Sequence, residues 1–463
     1  MANSQVEKLP FSKLIIFSLG QFGWSLASFA VGNLLVYFYM PPESGKTPLF
    51  PTYIFQGALF GFITIIGLIN SGGRLFDAFI DPWLANLSDR NTSKLGRRRI
   101  FMLFSALPLA VFSFLIFVPL LPYESHINTV WVIFCIVVFY VSITAYTMPY
   151  NALISELGHT SKERLNISTA ISVTFALGFA LGNQIYVFSN ILATRFHMSN
   201  TAAFQTVQLI FVIISLILLL LPVIFINENK YVENHVSEDG VFTAVKEVFK
   251  NKNFVRFTFS DLTYFISLNF IQMGISYFII TLLGLDKGLI SFLMLILFAL
   301  SFVFYVPINL IAQKLGKKRI MMLAFIMFAL DFLVITFLNI IPVPHIIQAY
   351  AIVIIAAIPI AIFGIIPNAI VADIAEADGI ETGKYKAGIY FGTRTFMMKL
   401  GISLANLLFP SFLLLGRSVD NPIGIRTAAA AACVFCLIGL GLFTMYNEKK
   451  VINTLKTKEK ENE

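Results

Sequence analysis

GGRLFDAFIDPWLANLSDRNTSKLGRRR, residues Gly72 to Arg99, is an apolar segment that carries one arginine and two carboxylates and then breaks into a basic loop. Asp77 and Asp81 are four apart and so stack on one face of a helix. Arg74, three residues before Asp77, lies on the same side. Pro82 frees the carbonyl of Ala78 and adds an oxygen to that turn. Counted back from Ser88, the two carboxylates lie roughly 10 to 16 Å deep, near the middle of a ~30 Å hydrocarbon core. Each costs on the order of 3 kcal/mol there when ionised, so both must face protein or water and need positive partners. Two carboxylates this close repel, so one binds a proton or both share a cation. That is the chemistry of a coupling-ion site whose occupancy follows a gradient. An ion pair with Arg74 that serves packing alone leaves the second carboxylate unexplained.

The rest of the chain supplies the membrane that this depth requires. It is 57% hydrophobic and only 13% charged, with a mean hydropathy of +0.82, which excludes an ordinary soluble domain. Apolar runs near 14–40, 53–87, 100–121, 129–155, 166–192 and 205–226 are followed, after a polar break, by six more near 257–283, 288–313, 319–341, 346–371, 387–413 and 424–446. The expected fold is therefore an all-α membrane protein of twelve transmembrane helices in two six-helix bundles. Its parts are residues 1–226, a linker 227–256, and residues 257–463. Placing the termini and the even-numbered loops on one side collects most of the 33 Lys and Arg residues there. The positive-inside rule makes that side cytoplasmic, and the net charge of +8 then reflects topology, not nucleic-acid binding. The first apolar run is longer than a signal-peptide core and lacks a small-residue cleavage site, so it stays as a span. Cys433 and Cys436 form a CxxC inside the last span, where packing is the simpler role.

Two offsets indicate an internal repeat. The loop around Gly96 has a smaller counterpart in KLGKKR, Lys314 to Arg319, with Gly96 and Gly316 separated by 220 residues. The fourth span ends MPYNALISE and the tenth IPNAIVADI, so Pro149 and Pro367 are 218 apart, with Glu156 and Asp373 shortly after. Two pairs at nearly one offset point to two homologous halves. In the linker, Val241, Phe242, Val245, Val248 and Phe249 fall on one face of an expected interfacial amphipathic helix.

Other polar residues in the spans form stripes. Gln21, Ser25, Ser28 and Gly32 line one face of the first span beside Trp24, as either a polar cavity wall or a small-residue packing face. Thr144, Thr147 and Asn151 share a face of the fourth span, and Asn269, Gln272 and Ser276 one of the seventh, where Asp261 lies nearer the cytoplasmic end. Asp331 sits midway along the ninth without an evident partner. In the eleventh, Thr395, Lys399, Ser403 and Asn406 lie near one face and Arg394 about 100° away. Lys399 is roughly 18 Å deep, level with Asp77, Asp81, Thr144 and Ser25. Its stem is too short to reach either interface, so it pairs across the bundle.

The DxxxDP of Asp77 to Pro82, the following DR and GRRR, the proline ending span four, and DIAEADGIETGKYKAGIYFGTRTFMMKLG from Asp373 to Gly401 resemble the glycoside-pentoside-hexuronide:cation symporters of the major facilitator superfamily, which include melibiose permease. The resemblance implies cation-site carboxylates at Asp77 and Asp81, a cation ligand at Thr144, and Lys399 linking the cation and sugar sites. Substrate contacts would come from Trp24, Ser25, Arg74, Thr147, Asn151, Arg394, Thr395 and Lys399. Departures from the melibiose permease pattern bear on the chemistry. Ile80 replaces an Asn before the second carboxylate, which weakens a sodium site and favours protons. Ser25 and Thr147 replace two sugar-binding carboxylates, Ala170 a basic residue, and Arg394 a neutral Gln. The cavity loses negative charge, so anionic or polyol-like substrates such as uronides are expected.

The expected activity is sugar, glycoside or uronide symport with Na⁺ or H⁺ as coupling ion, by alternating access and without a cofactor. Asp89, Arg90, Arg97, Glu156, Arg319 and Asp373 would latch the cytoplasmic side. The expected setting is a monomer in the plasma (inner) membrane, with both termini cytoplasmic and no nucleic-acid partner. A lysophospholipid or other lipid transporter on the same scaffold is the main alternative, which the 48 Phe residues and the lost sugar-binding carboxylates would suit. An intramembrane prenyltransferase using Asp77, Asp81 and Asp89 with Asp373, Glu376 and Asp378 as Asp-rich motifs has no use for the repeat or for Lys399. No Walker A pattern supports ATP hydrolysis.

Overall fold

A computed structural model describes residues 8–44, 47–59, 61–89, 91, 93, 95–158, 161–231, 248–383 and 387–462. It is built almost wholly from helices. In chain order the spans are α1 (Phe11–Tyr39), α2 (Ile65–Asp89), α3 (Arg99–Leu115), α4 (His126–Leu157), α5 (Ser161–Asn183, resumed over Ile185–Arg195) and α6 (Asn200–Phe225). The second set is α7 (Lys252–Leu282), α8 (Gly288–Leu315), α9 (Lys317–Thr336), α10 (His345–Thr382), α11 (Ala387–Leu413) and α12 (Ile423–Thr444). A tail helix, α13 (Glu448–Asn462), follows. Among the described residues, ten of these helices are long and apolar enough to cross a membrane, and Arg99–Leu115 is a shorter apolar helix. With α2 they make the twelve expected.

One boundary differs from the hydropathy reading. The run near 53–87 becomes helical only at Ile65, because the chain first turns through the short hairpin Ala58–Leu59 against Ile63–Thr64. Gly61, at φ +88°, lies in that turn, where a left-handed residue breaks the apolar run. The amphipathic linker helix expected over Val241, Phe242 and Val245 lies outside the described residues.

The chain divides into two compact units. The first comprises Met1–Pro41, Leu49–Gly57 and Gly72–Glu238, the second Pro42–Pro48, Ala58–Ser71 and Asp239–Glu463. In the first, α1 packs on α5 and α6, and α3 packs on α4 and α6; in the second, α7 packs on α11 and α12, and α9 on α10 and α12. The pairings correspond one to one. Glycines allow the close approaches: a Cβ on Gly23 would lie 2.9 Å from the Leu219 nitrogen of α6. Ser215 Oγ donates to the Gly23 carbonyl at 2.7 Å, and in the second unit Ser260 Oγ donates to the Gly439 carbonyl at 2.7 Å. Such small-residue seams are how helices associate where hydrocarbon offers no hydrophobic drive.

The offset of 220 recurs in hydrogen bonding. Asn128 Nδ2 donates to the carbonyls of Leu121 and Tyr123, each at 3.0 Å. Its counterpart Gln348 Nε2 donates to those of Ile341 and Val343, at 3.1 and 2.6 Å. In each unit the amide ties down the loop that enters the fourth helix of its set. Ser25, read as a cavity or packing residue, is fully buried against Gly178 of α5 and donates to the Phe22 carbonyl at 3.0 Å. It belongs to the α1–α5 seam, because a serine bonded to its own helix is small enough to let α5 approach.

Candidate functional site: a buried carboxylate on α2 and an ion pair on α7 and α11

In the first unit the site is organised around Asp77, which is 4% exposed. Thr144 Oγ1 of α4 donates to Asp77 Oδ1 at 2.7 Å, and Arg74 Nη1 reaches Asp77 Oδ2 at 3.4 Å. The Arg74 guanidinium in turn lies 5.7 Å from the centroid of the Tyr140 ring on α4. The i, i+3 spacing on α2 brings the arginine to the carboxylate, and Gly73 allows α4 to come close, since a Cβ there would lie 2.7 Å from Ile136 Cγ2. Asp81, one turn further, is half-buried. Hydrogen bonds to a charged acceptor are worth about 1.5 to 3 kcal/mol each, enough to fix the orientation of Asp77.

The other first-unit residues expected to contact substrate are aromatic and polar. Trp24 is half-buried with its ring 5.8 Å from Phe175 of α5, and its buried Nε1 donates to no described residue. An aromatic face with an uncommitted N–H is a sugar-binding type of group. Thr147 is buried at 8% exposure, and Asn151 is exposed. Among the described residues no cluster of three or more His, Cys, Asp or Glu side chains is arranged to hold a metal ion.

In the second unit the ionic centre is a pair that the sequence did not join. Arg394 of α11 forms a two-point contact with Asp261 of α7: Nε to Oδ2 at 2.7 Å and Nη2 to Oδ1 at 3.3 Å. Its Nη1 also donates to Asn368 Oδ1 of α10 at 2.5 Å, and its guanidinium lies 6.0 Å from each of the Phe257 and Phe265 rings. Asp261 is 2% exposed. The positive charge assigned to the substrate cavity at Arg394 is thus already compensated within the unit, because the carboxylate of Asp261 faces it across the α7–α11 seam. Lys399, one to two turns further along α11, is half-buried, and Thr395 is exposed with its hydroxyl bonded to the Phe391 carbonyl at 3.0 Å. Asp331 is fully buried in α9, and neither of its oxygens is hydrogen-bonded to a described residue.

The basic loops are anchored inside their own units. Glu156 Oε1 accepts from Arg97 Nη2 at 2.8 Å and from Arg98 Nη2 at 2.8 Å. In the second unit Lys317 Nζ pairs with Asp373 Oδ2 at 2.5 Å, whereas Arg319, expected at this latch, is exposed. The register of α9 explains the difference, since Lys317 is its first residue. Arg90 lies outside the described residues, and for Asp89 only the backbone is described.

Each loop has a second anchor. Glu228 accepts from the backbone N–H of Arg98 at 2.9 Å and of Arg99 at 2.9 Å, and Glu448 accepts from that of Lys318 at 3.1 Å. Gly96 and Gly316, at φ +113° and +87°, turn the chain toward these carboxylates. Glu228 and Glu448 are themselves 220 apart, the spacing of the two glycines, which is the signal that could have found them.

Twelve helices in two matched sets, with a buried and a half-buried carboxylate one turn apart and basic residues within the spans, define a secondary transporter. Residues 16–416 match the profile of the MFS/sugar transport protein family, and the chain belongs to that family. An uncharacterized symporter, YnaJ, of Bacillus subtilis (strain 168) is 25% identical over 98% of this chain and 96% of its own. The glucuronide carrier protein homolog of Escherichia coli (strain K12) is 23% identical over 95% and 93%. The isoprimeverose transporter of Lactiplantibacillus pentosus is 24% identical over 69% and 63%. Among solved structures, the nucleoside transporter NupG superposes with a TM-score of 0.66 at 13% identity, over 94% of this chain and 98% of that one. This likeness shows the fold, and the family match makes the chain a multi-pass major facilitator protein. The family assignment favours sugar or glycoside transport over lipid transport and over an Asp-rich prenyltransferase.

Proposed function

We propose that the protein imports a glycoside or uronide together with a proton, and that Asp77 and Asp81 bind the proton. The observation that carries this reading is the fixed carboxylate of Asp77, held by Thr144 and Arg74 one helical turn from a second acid. Binding a cation neutralises the pair and lowers the cost of keeping both acids at membrane depth. The hydrophobic side chain of Ile80 between them supplies no oxygen for a sodium shell, and this favours the proton. Lys399, freed when the pair is neutralised, would then help to hold substrate, and rocking of the two bundles about the site would give alternating access. The bundles themselves would be residues 1–226 and 257–463, the termini cytoplasmic and the membrane the inner one.

The substrate class follows from the charges left for it. Compensation of Arg394 by Asp261 removes one reason to expect an anion, while Lys399 and the loss of carboxylates at Ser25 and Thr147 remain. A uronide is supported further by the similarity to a glucuronide carrier homolog, and a neutral glycoside by that to an isoprimeverose transporter. Purified protein in proteoliposomes, given a pH gradient or a sodium gradient in turn, separates these readings. Glucuronide uptake driven by the pH gradient without sodium is the expected result. Uptake that requires sodium would overturn proton coupling, and uptake of neutral glycosides alone would overturn the uronide assignment.

A further inference from the structure

The second unit contains a cavity of about 620 Å³ whose lining does not include Arg394. It opens where the start of α7, the end of α10 and the start of α13 meet, and Lys250, Lys252 and Arg256 line it together with Asp378, Glu381 and Lys450. The volume is in the range of small-molecule sites, about 300 to 1,000 Å³.

Its charges are unequally spent. Glu381 is closed by Lys450 Nζ at 3.0 Å and by Thr454 Oγ1 at 3.3 Å, and Asp378 Oδ1 accepts from Asn251 Nδ2 at 3.3 Å. Arg256 gives only Nη1, to the Met445 carbonyl at 2.7 Å. Lys250 and Lys252 are exposed and form no ion pair with a described residue. Three cations within seven residues are therefore left facing one cavity while both of its carboxylates are engaged. The backbone at the start of α7 does not add to this, because Asn251 Oδ1 already accepts from the N–H groups of Asn253 and Phe254 at 3.0 and 3.1 Å. The attraction is one of side-chain charge, with a guanidinium fork suited to tetrahedral oxyanions.

We propose that this cavity binds a phosphate group, brought either by a phosphorylated small molecule or by a phospholipid headgroup. The site joins the beginning of α7, the end of α10 and the tail helix, so its occupancy would add to the contacts of Asn251 with Asp378 and of Lys450 with Glu381 that already hold these segments. Nothing in the proposed sugar or cation site takes part in it.

The full-length protein in detergent, titrated with glycerol 3-phosphate or with glycerol while its thermal unfolding is followed, tests the soluble source. Nanodiscs of phosphatidylglycerol or of phosphatidylcholine, followed by native mass spectrometry of retained lipid, test the headgroup source. A saturable stabilisation by glycerol 3-phosphate but not glycerol, or retention of phosphatidylglycerol over phosphatidylcholine, is the expected result and says which source supplies the phosphate. The variant Lys250→Gln with Lys252→Gln should bind about 30-fold more weakly at roughly fivefold per lysine, with unliganded unfolding temperature and glycoside uptake unchanged. Arg256→Gln gives an independent reading should the double variant fold poorly. No response in either arm, or responses that these variants leave unchanged, would overturn the proposal.

Discussion

The contact between Arg394 and Asp261 makes a quantitative prediction. Replacing Asp261 by Asn keeps the shape but leaves a guanidinium, otherwise held by Asn368 and two phenylalanine faces, buried without a counter-ion. The bonds at 2.7 and 3.3 Å are replaced by at most one neutral contact. Breaking a buried pair from one side costs about 3 to 5 kcal/mol. Asp261 is 2% exposed and the Arg394 side chain 13%, so water does little to relieve the loss. Arg394→Gln should cost a similar amount, since it leaves the carboxylate buried instead. The double variant removes both charges and should cost far less than the sum, with a coupling energy of about 2 kcal/mol or more. Reversible unfolding in mixed micelles over the four proteins measures this directly. Single-variant costs that add to within about 0.5 kcal/mol would show that the pair does not act as a unit and would refute the reasoning. Substrate affinity in the double variant supplies a second reading: if Arg394 is spent on Asp261, affinity should survive.

Other consequences can be checked with simple variants. Thr144→Val removes the 2.7 Å donor to the ionised form of Asp77 and should let the coupling proton bind roughly 10- to 100-fold more tightly, from the loss of about 1.5 to 3 kcal/mol, read as a shift in the pH dependence of uptake with folding preserved. Gly96→Ala and Gly316→Ala each impose a left-handed backbone on alanine, about 1 to 2 kcal/mol. Gly96→Ala should be the worse in thermal unfolding, because its Cβ runs into the Glu228 carboxylate, while that of Gly316 would lie 3.0 Å from Glu448 Oε2. Burial pushes the Glu228 carboxyl above its ordinary 4.5, although the amides of Arg99 and Arg98 pull it back. An acid raised in the folded state contributes stability that is present below the unfolded value and is lost as pH rises through the folded one. Stability should therefore fall across that window in the parent protein, and Glu228→Gln should flatten the fall in a pH series of unfolding temperatures.

The helices and the acid pair on α2 could be read from the chain because both are local. Hydropathy over ~20 residues marks a span, and the four-residue spacing of Asp77 and Asp81 puts them on one face whatever surrounds them. Thr144 was reachable through resemblance, since its partner lies 67 residues away on another helix. The Arg394, Asp261 and Asn368 cluster was not, because three helices must pack before those groups meet and no periodicity encodes their distances. Counting Arg394 by itself therefore leaves out the carboxylate that faces it. That Lys317, and not Arg319, meets Asp373 is hidden for a related reason: loop charges look equivalent until the helix start orients them. Glu228 and Glu448 look like ordinary loop acids, and only their shared offset with the two glycines marks them. Ile65, where α2 begins, was hidden by apolar residues in the preceding hairpin.

On the proposed function, Asp77 couples the cation gradient to sugar movement. Asp77→Asn, in proteoliposomes, keeps the size of the side chain and can still accept from Thr144 while removing the charge that a cation must neutralise. Substrate accumulation against its gradient, measured beside substrate exchange in the same vesicles, reads the coupling most directly. Accumulation should be lost while exchange persists; accumulation at the parent level would contradict the account and take Asp77 out of the coupling site.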